Sequence, residues 1–248
     1  MSTPVEDDLG GRRRRLLVLG PGHPFRGGIA ATTTEMVRGL RRRGHEVHFL
    51  TPRRQYPRLL YPGRHDVDPE ACPRLEGACA ILEPLGPVRW PRGRRRALHA
   101  RAEAWIIPYW TWVWAGWWLY LLWRRGRPPT VAVVHNPSDH EASAVKALAA
   151  RTVLGRCEGL FTHADSLAGE LRRRWPRRPV AAHPLPPVPL PRGPGRAEAR
   201  AALGVAEGVP LALFFGLIRP YKGVDLLLEA MARGPAQAGW WLVVAGEP

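Results

Sequence analysis

Three short apolar runs along this 248-residue chain each break off in a polar turn and pass into a helical pattern. They are residues 16–19 (Leu-Leu-Val-Leu), 130–134 (Thr-Val-Ala-Val-Val) and 211–215 (Leu-Ala-Leu-Phe-Phe). A run this short, without polar alternation, fits a strand covered on both faces, as in a parallel sheet. Parallel strands need a crossover, so strand, turn and helix in that order predict an α/β fold. The first run shows the unit most completely. Gly20-Pro21-Gly22-His23-Pro24-Phe25-Arg26-Gly27-Gly28 makes the turn, and a helix is expected from about Ile29 to Arg43. Gly44 suits the left-handed stop of that helix, and residues 46–50 resume as a strand. The glycines let backbone approach a ligand closely at the helix start, although a tight structural turn needs them equally. Neither the dinucleotide fingerprint nor a P-loop is spelled here.

The turn after the third run reads Gly216-Leu217-Ile218-Arg219-Pro220-Tyr221-Lys222-Gly223, ahead of a helical pattern over residues 224–231. Its two cations stand three residues apart. Arginine offers a planar fork for phosphate oxygens and lysine a compact charge on a flexible stem, both beside a helix N-terminus. An ordinary strand-to-helix loop with solvated charges would look the same. The second run ends in His135-Asn136-Pro137-Ser138-Asp139-His140-Glu141, and ligands of open α/β sheets collect at such carboxyl ends. The plainer reading of His135 is a strand-ending residue with a satisfied hydrogen bond.

Together the three turns resemble the retaining glycosyltransferases of family 4, whose two Rossmann-like domains form the architecture called GT-B. The resemblance implies that Gly216, Arg219 and Lys222 hold the diphosphate of a sugar nucleotide. It implies that Gly27 and Gly28 lie near donor phosphate and acceptor, and that His135 lies beside the donor sugar as the catalytic candidate. His140 and Glu141 belong to the same family motif. Residues 1–188 would form the acceptor domain, and residues 189–248 a linker and the start of the sugar-nucleotide domain. The implied partners are a nucleotide-diphosphate sugar, used as substrate rather than cofactor, and a glycan or lipid-linked acceptor. No metal is expected, since two cations can neutralise the leaving diphosphate. Two same-fold alternatives are a sugar-nucleotide epimerase and a phosphorylase. From another class comes an inactive remnant that binds membrane surfaces.

Charge adds a constraint. Lys and Arg number 37 against 21 Asp and Glu, a formal net charge of +16. The excess is mostly arginine in scattered runs, such as residues 12–15, 41–43, 94–96 and 172–174, within a chain rich in Ala, Gly and Pro. Those runs are not interleaved with aromatics on one element, so nucleic acid is not an expected partner, whereas a transient contact with anionic lipid is. Three cysteines (Cys72, Cys79, Cys157) make no disulfide framework and match no zinc spacing. With an acidic start that lacks the order of a signal peptide, they point to the cytoplasm, at most at the inner face of the membrane.

Residues 105–123 run 19 residues without a charge and carry seven tryptophans. Length alone permits a membrane-spanning helix, but Pro108 and Gly116 interrupt it, and tryptophan prefers the interface to the hydrocarbon. A buried or half-buried helix is the first reading, and an amphipathic surface that leans on a bilayer the second. Residues 52–104 read as loops and short elements. Helices are expected over residues 141–157 and 167–175, the second capped by Ser166, with a strand over 159–163 and a stiff proline-rich linker over 183–195. The second domain would hold only two strands, over 211–215 and 240–245, and would lack the paired glutamates of the family, as in a C-terminally shortened member.

Overall fold

The computed structural model describes residues 12–55, 67–68, 73–123, 126–136, 144–185, 193–216, 218–234 and 237–246. His140 and Glu141 lie outside them. The chain divides into two compact units, one reaching to Leu185 and the other holding the described residues from Gly193 onward.

The first unit is one parallel sheet flanked by helices. Its elements are β1 (Arg15–Leu19), α1 (Gly28–Arg42), β2 (Glu46–Pro52), β3 (Ala78–Leu82), α2 (Trp90–His99), β4 (Ala104–Tyr109), α3 (Ala115–Trp123), β5 (Thr130–Val134), α4 (Ala144–Leu154), β6 (Gly159–Thr162), α5 (Asp165–Arg174) and β7 (Val180–Ala182). The strand order is β3-β2-β1-β4-β5-β6-β7, with every pair parallel. Side chains alternate across the sheet as the period of two requires. Val18 joins Val37 of α1 and Phe49 on one face, while Leu17 and Leu19 enter the larger core on the other. Gly44, at φ +83°, stops α1 in the left-handed conformation the sequence leads one to expect.

The tryptophan-rich segment is not one helix. Its first third is β4, in the middle of the sheet, and only residues from Ala115 form α3. A proline in a central strand is unusual because it lacks a ladder donor. Alternation resolves this. Trp105 donates to the Pro129 carbonyl and Tyr109 accepts from the His135 amide, so odd-numbered residues of β4 face β5. Pro108 therefore turns its missing N–H toward β1, whose pairing with β4 ends at Ile106. Beyond that point β1 has given way to Gly20, where a Cβ would run into the Pro108 ring.

The rest of the segment supplies bulk. Trp105, Trp114, Trp117 and Trp118 are fully buried. Trp114 packs in tilted contact 4.8 Å from Trp110 and 5.5 Å from Trp118, and its indole N–H donates to the Gln55 carbonyl at 3.0 Å. Arg127 ties the end of α3 to the sheet. Its guanidinium donates to both carboxylate oxygens of Glu158 at 2.8 and 2.9 Å, and to the Leu122 and Arg156 carbonyls. Among the described residues no helix is long and apolar enough to cross a membrane.

Three further expectations need correction. Residues 52–104 contain, besides short elements such as β3 at the apolar piece Ala78–Leu82, the ten-residue helix α2. The helix escapes a hydrophobicity reading because its buried positions are the small Gly93 and Ala97, and Trp117 fills the space over Gly93. Ser166 does not cap α5. That helix starts at Asp165, so Ser166 lies within the first turn, where Asp165 sets a negative charge against the positive helix end. The three-residue edge strand β7 was not expected at all, being too short to show a pattern.

The second unit holds α6 (Arg196–Ala202), β8 (Leu211–Phe215), α7 (Val224–Ala232) and β9 (Trp241–Ala245), with β8 and β9 paired in parallel. Its strands are less covered than the apolar runs suggest. Leu213 is 61% and Phe215 82% exposed, because two strands and α7 cannot enclose both faces of a sheet.

Truncating a tryptophan of the core should separate packing from surface. Trp114→Ala is expected to cost about 3–5 kcal/mol in urea unfolding, and Trp123→Ala, exposed at the helix end, under about 1 kcal/mol. Equal costs would contradict the core described here.

Candidate functional site

All strands of the first sheet run the same way, so their carboxyl ends share one edge. The chain leaves β1 toward β2 and β3 on one side, and β4 to β7 lie on the other. The crevice of an open sheet forms where the order reverses, here between β1 and β4. Four glycines shape the turn after β1, for different reasons. Gly20 and Gly22 make room for Pro108 and for the Phe49 ring. Gly27, at φ +106°, holds a conformation that other residues rarely adopt, and its carbonyl accepts from the Ala31 amide at 3.1 Å. Gly28 begins α1. A Cβ at Gly27 or Gly28 would meet nothing within 4 Å, so neither glycine is there for packing. They leave open space over the helix start. Arg26 donates to Asp68 at 2.7 Å and thereby holds the turn against residues 67–68, where Phe25 also bridges Val67.

His135 stands at the carboxyl end of β5, separated from β1 by β4 alone. Burial, helped by the neighbouring His163, lowers its pKa to about 4, so the ring is neutral at physiological pH. His163 occupies the matching place after β6, with ring centroids 5.5 Å apart. Sequence reading ended the β6 strand on His163 and gave it no role. The usable signal was its place, one residue past the strand, as for His135. His23, in the glycine turn, also has a lowered pKa, from burial and then from Arg38.

The second unit carries the two-cation turn. Gly216 follows β8 at φ +127° and donates to the Ala245 carbonyl at 2.9 Å. The Lys222 ammonium nitrogen lies 2.7 Å from where a Cβ on Gly216 would sit, so the lysine folds back over the glycine. Arg219 precedes a single 3-10 turn, Pro220–Lys222, and Gly223, at φ +67°, opens α7. Gly246, a residue without an assigned role in the sequence, packs so closely that a Cβ there would strike the Gly216 carbonyl. The turn thus brings Gly216 and Lys222 together, with Arg219 one short turn away. Gly27, Gly28 and His135 belong to the first unit, and Gly216, Arg219 and Lys222 to the second. Among the described residues no three His, Cys, Asp or Glu side chains group as a metal site would require.

The fold is shared with several solved structures. Sucrose-phosphate synthase from Thermosynechococcus elongatus superposes with a TM-score of 0.63 at 16% identity, over 93% of this chain and 62% of that one. An alpha-glucosyltransferase in complex with UDP and DNA gives 0.54 at 13%, over 94% and 56%. The UDP-N-acetylglucosamine 2-epimerase from Rickettsia bellii gives 0.56 at 6%, over 96% and 63%. These likenesses define a Rossmann-type α/β protein of the GT-B kind. The sequence profile described as Glycosyltransferase Family 4 matches residues 26–188, more than half of the chain, and the chain belongs to that family. Two relatives are named D-inositol 3-phosphate glycosyltransferase. The one from Xylanimonas cellulosilytica is 28% identical over 91% of this chain and 59% of its own length. The one from Streptomyces bingchenggensis is 31% identical over 50% and 30%. The chain therefore spans less than two thirds of each.

The neutral His135 has a consequence for stability. Its folded pKa of about 4 lies below the ordinary 6.5, so the unfolded chain takes up its proton first as pH falls. Stability fully present above pH 6.5 should erode toward pH 4, by up to roughly 3 kcal/mol from this group. His23 acts in the same direction. Urea unfolding at pH 7 and pH 4.5 should show a smaller acid loss for His135→Asn than for the unsubstituted chain. Equal losses would mean that His135 is not desolvated.

Proposed function

We propose that this chain carries the acceptor domain, residues 1–188, and the opening part of the donor domain, residues 189–248, of a retaining glycosyltransferase. The reaction moves a sugar from a nucleoside-diphosphate sugar to an acceptor hydroxyl in bacterial glycan or glycolipid synthesis. The observation that carries this reading is the Lys222 ammonium folded over the positive-φ Gly216 at the carboxyl end of β8. A glycine there exposes backbone, and a cation stands within reach of the same point. Charge grows on the leaving diphosphate in the transition state, and Arg219 and Lys222 stabilise it there. Gly27 and Gly28 offer open backbone at a helix start for phosphate or acceptor. His135, held neutral, serves the sugar as a hydrogen-bond partner rather than as a charge. The names of the relatives support a phosphorylated polyol as one acceptor to try. The epimerase shares only the fold, and a sugar-nucleotide substrate would serve it as well; transfer to an added acceptor separates the two.

The donor side is tested by equilibrium binding of UDP, GDP and ADP to the 248-residue chain. One of them should bind, and Lys222→Ala should weaken it about ten- to thirty-fold, the loss of one charge-assisted contact of roughly 1.5–2 kcal/mol. Unchanged affinity in that variant removes Lys222 from the site, and binding of none of the three favours the membrane-binding remnant.

A transient membrane contact forms part of the same reading. What supports it is α2, where Arg92, Arg95 and Arg96 are exposed beside Arg89 and a Val88 that is 92% exposed. Sedimentation with phosphatidylserine vesicles should carry the protein down at low salt and release it near ~0.5 M, as a screened surface contact does. Retention at high salt would argue for insertion instead.

A further inference from the structure

His135 and His163 share an unusual state. The Nε2 atom of each is buried and has no hydrogen-bond partner. An unmade hydrogen bond on a buried polar atom is costly, and two of them 5.5 Å apart by ring centroid, on adjacent strand ends, are not a packing device.

The protonation pattern says what the pair can take. The Nδ1 of His163 lies 3.0 Å from the His183 carbonyl oxygen, which only accepts, so that nitrogen carries the proton. The His163 ring also meets the edge of Phe161 at 5.1 Å and is fixed from two sides. Its Nε2 is therefore a lone-pair acceptor pointing at no donor. No hydrogen bond to the His135 ring fixes its tautomer among the described residues, so its Nε2 is free to donate. One acceptor and one donor close together are the complement of a hydroxyl, which gives one hydrogen bond and receives another. Both residues are part-exposed, and the broad χ2 torsion of histidine lets the His135 Nε2 turn to a group arriving beside them.

We propose that His163 is a second imidazole of the ligand site, accepting a hydrogen bond at Nε2 from a sugar or polyol hydroxyl that also meets His135. This rests on the glycosyltransferase reading above and adds to it a residue on β6's end that fixes which hydroxyl pattern is accepted. A site built to pair with a hydroxyl rejects ligands that lack it far more strongly than an apolar pocket does. The hydroxyl comes from the donor sugar or from the acceptor, and the two sources are separable.

The test measures affinities of the 248-residue chain for the nucleoside diphosphate that binds it, for the corresponding nucleotide sugar, and for D-inositol 3-phosphate. His163→Phe keeps a flat ring and removes the acceptor. It should weaken the nucleotide sugar at least about fivefold and leave the bare nucleoside diphosphate unchanged. A loss confined to D-inositol 3-phosphate would assign the same pair to the acceptor. His163→Gln returns an acceptor near the Nε2 position and should recover part of the loss, and a thermal midpoint on each variant shows that it is folded. Should His163→Phe bind every ligand as the unsubstituted chain does, the proposal is overturned while the donor reading stands. Loss of all three ligands together, including the bare diphosphate, would make His163 merely structural and also overturn it. Binding of Zn2+ that competes with the sugar ligand and disappears in His163→Phe would reassign the pair to a metal. Failure of every nucleotide to bind the unsubstituted chain would remove the donor reading, and this proposal with it.

Discussion

The placement of β4 between β1 and β5 is the constraint on which the rest of the first unit depends. Pro108 cannot donate to a neighbour, so β4 tolerates it only where one neighbour has stopped pairing. That point is where β1 turns away at Gly20, whose missing side chain admits the proline ring. The same contact lies where the strand order reverses, at the edge where the glycine turn and His135 stand. A side chain at Gly20 would push β1 and β4 apart at the mouth of the crevice. The cost would fall on the site as much as on the core.

The tryptophans then settle how the sheet is covered. Trp114, Trp117 and Trp118 bury their rings against each other and against the small face of α2, and Arg127 stitches the helix end to Glu158 and β5. Aromatic burial on this scale is a large apolar contribution, and tilted ring pairs add to it. It leaves the indole nitrogens of Trp105, Trp117 and Trp118 without partners, a polar cost that the packing outweighs. A segment that looks from composition like a membrane span is thus a central strand followed by a core helix.

Much of this was legible in the residues. The strands at β1, β5 and β8 stand out as apolar runs, and Gly44 marks the end of α1. What was hidden depends on partners distant in sequence. The helix α2 buries only Gly93 and Ala97, so its apolar face is visible only once Trp117 is placed over it. Pro108 argues against a strand until the neighbouring strand is known to end beside it. His163 is unremarkable as a letter, and gains meaning from standing one strand from His135 with an unpaired nitrogen. Ser166 misleads because capping depends on where the helix starts, and Asp165 begins it one residue earlier.

The central claim is the proposal that the turn after β8 takes the diphosphate of a nucleotide sugar. Backbone amide spectra of the chain, recorded while a nucleoside diphosphate and then its sugar ester are added, test this most directly. The account predicts that the diphosphate and its sugar ester both shift the amides of Gly216, Arg219, Lys222 and Gly223. Saturation with either ligand that leaves the amides from Gly216 to Gly223 unmoved would contradict it.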